Sequence, residues 1–174
     1  LNYANLQRKN IIIINGFKRN KNLITLLKAF SILASEFHNW DIKVVGRTDG
    51  REPHKLEIHK FIKDRQLTNR VIFKGPTDRI FEEYASSQIH VLPSLSEGCP
   101  TCILEAMSVG LPSIGFADCP GTNELIKHER NGLLAETEER VAGLKIALRR
   151  VMSNNDFRIQ LSHRALEDAN QYTP

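Results

Sequence analysis

The 174-residue chain lacks any apolar run long enough to cross a bilayer; its densest one, "IIIING", is strand-sized. Cysteine is scarce, with three in the chain, which excludes a disulfide framework and points to a reducing compartment. The opening "LNYANLQRKN" is polar and has no secretory-signal pattern, so the expected location is cytoplasmic, without direct membrane insertion. A surplus of one charge is also missing: the net charge is only +4. Basic residues gather at Arg8 ("RKN") and Lys18 ("KRNK") without aromatics between them, so no nucleic-acid partner is expected. These clusters read as a solvated face, with room for a small patch that meets a phosphate. There is no repeat, linker or low-complexity tract, and a start at Leu rather than Met suggests a piece of a longer protein.

What is present is an alternation of short apolar runs with amphipathic ones. Strands are expected at "NIIIING", "DIKVVG", "RVIFKG", "QIHVLPS", "LPSIGF" and "NGLLA". Between them lie helical patterns: 22–37 with apolar Leu23, Leu26, Leu27, Phe30, Leu33 and Ala34, then 54–67, "RIFEEYASS", "TCILEAMSVG" and "GTNELIKH". Two more helices, "EERVAGLKIALRRVMS" and "DFRIQLSHRALEDA", close the chain. Strands apolar throughout need cover on both faces, which predicts an α/β, Rossmann-like, doubly wound sheet of about six parallel strands in one domain. Strands ending at Gly16, Gly46, Gly75 and Pro93-Ser94 place the ligand crevice at their carboxyl ends.

The loop "SLSEGCPT" leaves one strand end and enters a helix near Thr101. Gly98 permits tight backbone geometry there and Pro100 suits a first helical turn. N–H groups at that helix start favour an anion such as a diphosphate. Glu97 precedes those donors, and Glu105 lies one turn inside, on the side of Thr101. A carboxylate accepts hydrogen bonds from two neighbouring hydroxyls, so a sugar diol suits each. A Glu set in apolar "CILEAM" faces either the interior or a cleft, and unpartnered burial would be costly.

Cys99 and Cys102 admit a redox reading, because a Cys-x-x-Cys at a helix start has a lowered thiol pKa. The motif follows the fourth strand, however, where a thioredoxin-like fold would have it after the first or second. Zinc would need four ligands, and Cys119 and the six histidines show no paired spacing. The two cysteines are expected to fill small spaces, and His54 and His59 to lie on the surface. Lys21, at the entrance to the first long helix, can pair with phosphates. "CPGTNELI" is a second glycine-bearing turn, where Glu124 caps the helix or touches ligand, with the structural role favoured.

With these residues in hand, the chain resembles the C-terminal, nucleotide-sugar-binding half of family 4 retaining glycosyltransferases of the GT-B fold. The likeness runs from "INGFKRNKNLITLLKAF" through "IHVLPSLSEGCPTCILEAMSVGLPSIGF" to "GTNELI" and "NGLL", and is most specific in the Glu-x7-Glu motif of Glu97 and Glu105. The resemblance implies sugar transfer from a UDP- or GDP-sugar to an acceptor glycan or lipid, in cell-surface polysaccharide biosynthesis. Glu97, the catalytic candidate, would contact the donor sugar near the reacting centre. The backbone of Gly98, Cys99, Pro100 and Thr101 would hold sugar and phosphate oxygens. Glu105 would grip the ribose diol, Lys21 would neutralise the diphosphate, and Thr77 would lie near the nucleobase. With protein groups supplying positive charge, no metal or other cofactor is expected.

The chain departs from the family pattern in one place. An arginine commonly follows the glycine at the first strand's end, but Phe17 follows Gly16 here. Lys18 and Arg19 are the candidates to supply that charge, although neither occupies the matching position. The resemblance also implies an N-terminal domain of the same protein as partner, absent from this chain, so that the fragment alone binds donor weakly and does not turn over. A non-catalytic nucleotide-sugar module and a GT-B-like epimerase or phosphorylase stay open beside this reading.

Overall fold

Consecutive isoleucines make the first strand. Ile11, Ile12 and Ile13 are all fully buried, so both faces of that strand must be covered, and their branched side chains suit a pleated surface. The computed structural model describes residues 7–15, 17–47 and 53–172. Among them are six strands: β1 (Lys9–Ile14), β2 (Trp40–Val45), β3 (Val71–Gly75), β4 (Ile89–Leu92), β5 (Ser113–Phe116) and β6 (Gly132–Ala135). The helices are α1 (Leu23–Leu33), α2 (Pro53–Asp64), α3 (Ile80–Ala85), α4 (Thr101–Ser108), α5 (Thr122–Leu125), α6 (Arg140–Ser153) and α7 (Asn155–Ala169), with a 3-10 turn at Arg19–Lys21. No described helix is long and apolar enough to cross a membrane.

All strand pairs are parallel, in the order β3-β2-β1-β4-β5-β6. This is the doubly wound α/β sheet that the alternating pattern predicts. The chain winds outward from β1 to β3, then returns to the other side of β1 and winds out again. Between β1 and β4 the direction reverses, and in such sheets that switch point opens a crevice at the strands' carboxyl ends.

The two faces have separate cores. Ile11 and Ile13 share one core with Leu26, Leu27 and Phe30 of α1, Ile58 of α2 and Leu148 of α6. Ile12 joins Tyr84 of α3 and Ala106 of α4 on the other face, while Leu92, Ile103 and Met107 pack with Ala165 of α7. The period of two along β1 therefore divides its side chains between helix layers. Gly110, with φ +72°, follows α4, which stops at Ser108 and so is shorter than the pattern "TCILEAMSVG" suggests.

Several charged residues inside this frame are paired. Lys43 of β2 is 4% exposed; its ammonium meets Glu83 Oε2 at 2.8 Å and donates to Ser86 Oγ at 2.8 Å. Arg70 donates to the carbonyls of Phe37 at 2.7 Å and Ala34 at 3.2 Å, and to Asp41 Oδ1 at 3.1 Å. Asp41 is itself buried and also accepts from Arg8. One guanidinium thus ties the end of α1 to the edges of β2 and β3. Arg70→Ala would leave several acceptors without a donor, at roughly 2–3 kcal/mol. Urea unfolding should show a lower midpoint at an unchanged m-value; a midpoint equal to that of the wild type would refute this role.

Candidate functional site

The site begins with two loops that the switch point brings side by side. After β1 the chain turns through Phe17 and the 3-10 turn to Asn22, which sits at φ +52°. After β4 it passes through Pro93 and Ser94 to the start of α4. The loops are joined twice: Asn22 Nδ2 donates to the Pro93 carbonyl at 3.1 Å, and Leu95 N donates to the Asn20 carbonyl at 3.3 Å. Lys21 lies between these two ties. Its ammonium meets Glu97 Oε1 at 2.6 Å, with side chains only 14% and 10% exposed. The cation read from sequence as a phosphate partner is therefore in contact with the first carboxylate of the Glu-x7-Glu motif.

Helix α4 starts at Thr101, as the sequence predicts, directly after Pro100. Two of its leading N–H groups are engaged locally: Thr101 N donates to Cys99 O and Ile103 N to Pro100 O, each at 2.9 Å. Glu105 is half-buried, and its Oε2 accepts a hydrogen bond from the Tyr84 hydroxyl at 3.0 Å. Tyr84, which the sequence reading did not single out, is fully buried, with its ring edge-on to His90 at 5.8 Å. The aromatic in "IFEEYASS" was the available signal, because a buried phenol needs an acceptor.

Several expectations need correction. Gly98 has no left-handed backbone, and a Cβ there would meet nothing within 4 Å, so the glycine leaves open space and does not enable a tight turn. The close approach belongs to Gly121, at φ +76°, where a Cβ would lie 2.9 Å from Gly98 O and 3.1 Å from Glu97 O. Thus the β5–α5 turn backs the site loop, and Glu124 Oε1 accepts from Gly121 N at 3.4 Å in the structural role read for it. Cys99 is exposed and fills no space, whereas Cys102 is buried. Burial pushes the Cys102 thiol up to about 11; Lys21 opposes this, and Glu97 and Glu105 add to it. That is the reverse of an activated thiol, and all three cysteines are free, which removes the support for the redox reading. Among the described residues, no three His, Cys, Asp or Glu side chains form a group that could hold a metal ion.

The remaining expected residues divide. Gly16 lies outside the described residues. Phe17 is 5% exposed and stacks on Phe73 at 5.1 Å, so the position after Gly16 turns into the core. His54 is half-buried with a ring nitrogen against the Phe17 carbonyl, while His59 is exposed but lies beside the Phe17 and Phe73 rings. Lys18 and Arg19 are exposed. Lys18 lines a cavity of about 530 Å³ with Asn15, Gly46, Arg47, Pro76 and Thr77. Arg19 lies instead in a smaller one of about 230 Å³ with His54 and Leu95. Arg47 was missed by the sequence reading, although a basic residue directly after the glycine that follows β2 was visible in "VVGR".

His90 of β4 completes the floor. It is fully buried, Nδ1 lies 2.9 Å from Ser113 Oγ, and Nε2 has no partner among the described residues. Burial, reinforced by the Lys21 charge, lowers its pKa to about 3, so the ring is neutral.

A doubly wound parallel sheet with a lysine–glutamate pair bridging its switch point defines a Rossmann-like domain. The chain belongs to the family described as glycosyl transferases group 1, whose model matches residues 3–168. An uncharacterized glycosyltransferase of Haemophilus influenzae is 33% identical over 165 residues, covering 93% of this chain and 44% of that protein. A Campylobacter jejuni relative, a GalNAc-alpha-(1->4)-GalNAc-alpha-(1->3)-diNAcBac-PP-undecaprenol alpha-1,4-N-acetyl-D-galactosaminyltransferase, is 27% identical, covering 93% of this chain and 44% of its own length. The chain thus spans less than half of these relatives. Anabaena Alr3699/HepE, solved in complex with UDP, shares the fold with a TM-score of 0.85 at 22% identity, over 95% of this chain and 44% of that one. The C-terminal domain of the group 1 protein LpcC from Francisella tularensis matches with a TM-score of 0.83 at 21% identity, over 94% of this chain and 85% of that one.

The neutral His90 gives a pH signature. Its folded pKa lies below the unfolded 6.5, so as pH falls through 6.5 the unfolded chain takes up a proton that the folded chain refuses. Stability present at neutral pH is then lost progressively towards acid. His90→Gln should flatten the fall in unfolding free energy between about pH 6 and 4, by up to about 1.4 kcal/mol per pH unit. Parallel curves for the two proteins in urea unfolding would show that His90 does not contribute.

Proposed function

We propose that this chain is the donor-binding domain of a retaining, family 4 glycosyltransferase. It holds a nucleotide diphosphate sugar, UDP- or GDP-linked, whose sugar passes to an acceptor glycan or lipid in cell-surface polysaccharide biosynthesis. The observation that carries the reading is the meeting of Lys21 with Glu97 at the switch point, with Glu105 one helical turn into α4. Glu97 and its loop backbone, Gly98 to Thr101, face the donor sugar; Glu105 accepts from the ribose diol. As the glycosidic bond breaks, negative charge grows on the leaving diphosphate, and Lys21 with the α4 N-terminus stabilises it. In this proposal no divalent metal takes part. Lys18 and Arg47 line the cavity shared with Thr77 and offer further positive charge where the base and diphosphate meet.

The relatives' names support the process: one acts on an undecaprenol-linked glycan, and another is an E. coli UDP-Gal-dependent galactosyltransferase on a diphosphoundecaprenol acceptor. Acceptor contacts belong, in this proposal, to an N-terminal domain of the same protein, and so does any attachment to the inner face of the membrane. The working location is the cytoplasm. The burial of Phe17 where the family has arginine favours a second reading, a module that binds donor without transfer.

Calorimetric titration of the domain with UDP, GDP and ADP, with EDTA present, tests the main reading. One nucleotide should bind selectively, and Glu105→Ala should weaken it by about tenfold or more. Absence of binding by all of them at millimolar ligand would overturn the donor-site assignment. Transfer assays provide a second test: the 174-residue chain alone should show no turnover, and the full-length protein should. Turnover by the chain alone would refute the need for a second domain, and a full-length protein that binds but never transfers would establish the second reading.

A further inference from the structure

The two carboxylates of the motif are supported in different ways. Glu97 is held by a cation, Lys21, at 2.6 Å. Glu105 is held by a neutral donor, the Tyr84 hydroxyl, at 3.0 Å from Oε2. A cation compensates the charge of the carboxylate it orients. A neutral phenol fixes the carboxylate's rotation and leaves its charge, and the lone pairs of the second oxygen, available to another partner.

Tyr84 is built to stay in place. It is fully buried in the core between α3 and α4 with Ala106 and Leu111, and its ring meets His90 edge-on at 88°. His90 is anchored in turn by Ser113 on β5 at 2.9 Å. Burial, with the charges near Cys102 and Glu105, pushes the phenol well above its ordinary pKa of 10, so it remains a donor at any working pH. The chain Ser113–His90–Tyr84–Glu105 therefore runs from an inner strand of the sheet to the site.

We infer that Tyr84 is a positioning residue for Glu105: it pins Oε2 so that Oε1 is presented to the vicinal hydroxyls of a nucleotide's ribose. This rests on the donor-site reading of Glu105 proposed above. Without the phenol, the carboxylate would rotate freely and lose orientation before ligand binding, which costs affinity for a diol but little for a ligand that lacks one. A purely structural tyrosine would instead affect all ligands alike.

The test uses the full-length protein, whichever of UDP, GDP and ADP the wild type binds best, and the 2′-deoxy counterpart of that nucleotide. Tyr84→Phe keeps the ring and its contact with His90 and removes only the hydroxyl. Affinity for the ribonucleotide should fall by about fivefold to tenfold, while affinity for the 2′-deoxy nucleotide changes by less than about twofold, which also shows that the variant is folded. In a Glu105→Ala background the same substitution should have no further effect on ribonucleotide binding. Equal losses for both ligands, no loss for either, or additive losses in the double variant would overturn the inference. If Tyr84→Phe failed to fold, Glu105→Gln would decide. With its one amide oxygen held by the phenol, it turns an NH2 donor to the ribose, so ribose preference should be largely lost; a preference kept near that of the wild type would count against positioning by Tyr84. The outcomes separate the two levels of the argument. Loss of ribose preference in Glu105→Ala but not in Tyr84→Phe sinks only this inference, whereas a preference that survives Glu105→Ala, or no nucleotide binding at all, sinks the donor-site reading with it.

Discussion

The ion pair between Lys21 and Glu97 joins two loops 76 residues apart in sequence, and the arrangement of the site depends on it. It forms because β1 and β4 are neighbours although they are not consecutive strands, so their carboxyl ends deliver two loops to one place. The pair contributes little net stability, since desolvation of two nearly buried charges offsets most of their attraction. Removing either partner would nonetheless strand a charge, at about 3–5 kcal/mol. The fold is thus committed to keeping both ends at the crevice, and its effect is placement more than stabilisation. Asn22 and Leu95 complete that placement by hydrogen-bonding the two loops on either side of Lys21.

The cysteines show how the same surroundings decide between chemistries. A thiol at a helix start would be acidified by exposure and by positive potential. Cys102 is instead buried, with Glu97 and Glu105 opposing the one favourable charge, and its pKa rises to about 11. Cys99, the exposed member of the motif, has no cysteine partner to exchange with. What sequence presents as a redox motif is a helix entrance in which two small residues happen to be sulfur-bearing.

The sheet, the start of α4 at Thr101 and the place of Glu105 inside it were legible in the sequence because each rests on local pattern: strand-length apolar runs, a proline before a helix, a spacing of one turn from Thr101. What was not legible depends on long-range register. The Tyr84–Glu105 bond links two helices, and the turn of Phe17 onto Phe73 depends on how β1 and β3 flank β2. Glycine was also misread for this reason. Gly98 looked like the residue the loop requires, yet the close approach falls on Gly121, whose neighbour across the gap is known only once β4 and β5 are paired.

Charge accounting then constrains the proposed chemistry. A diphosphate brings about two negative charges to the crevice, while Lys21 is already matched by Glu97. The N-terminus of α4 adds only about half a positive charge, and two of its N–H groups bond within the turn. With Phe17 in the core, the remaining cations among the described residues at the β1 and β2 exits are Lys18, Arg19 and Arg47, all exposed. Lys18 and Arg47 share a cavity and Arg19 does not, so among the described residues those two are placed to add to Lys21 at a diphosphate. In water their attraction is weak, about 1 kcal/mol for a unit pair at 4 Å, and it grows severalfold when a surface closes over them. A second domain covering the crevice would therefore strengthen the site by excluding water, even if it contributed no charge of its own.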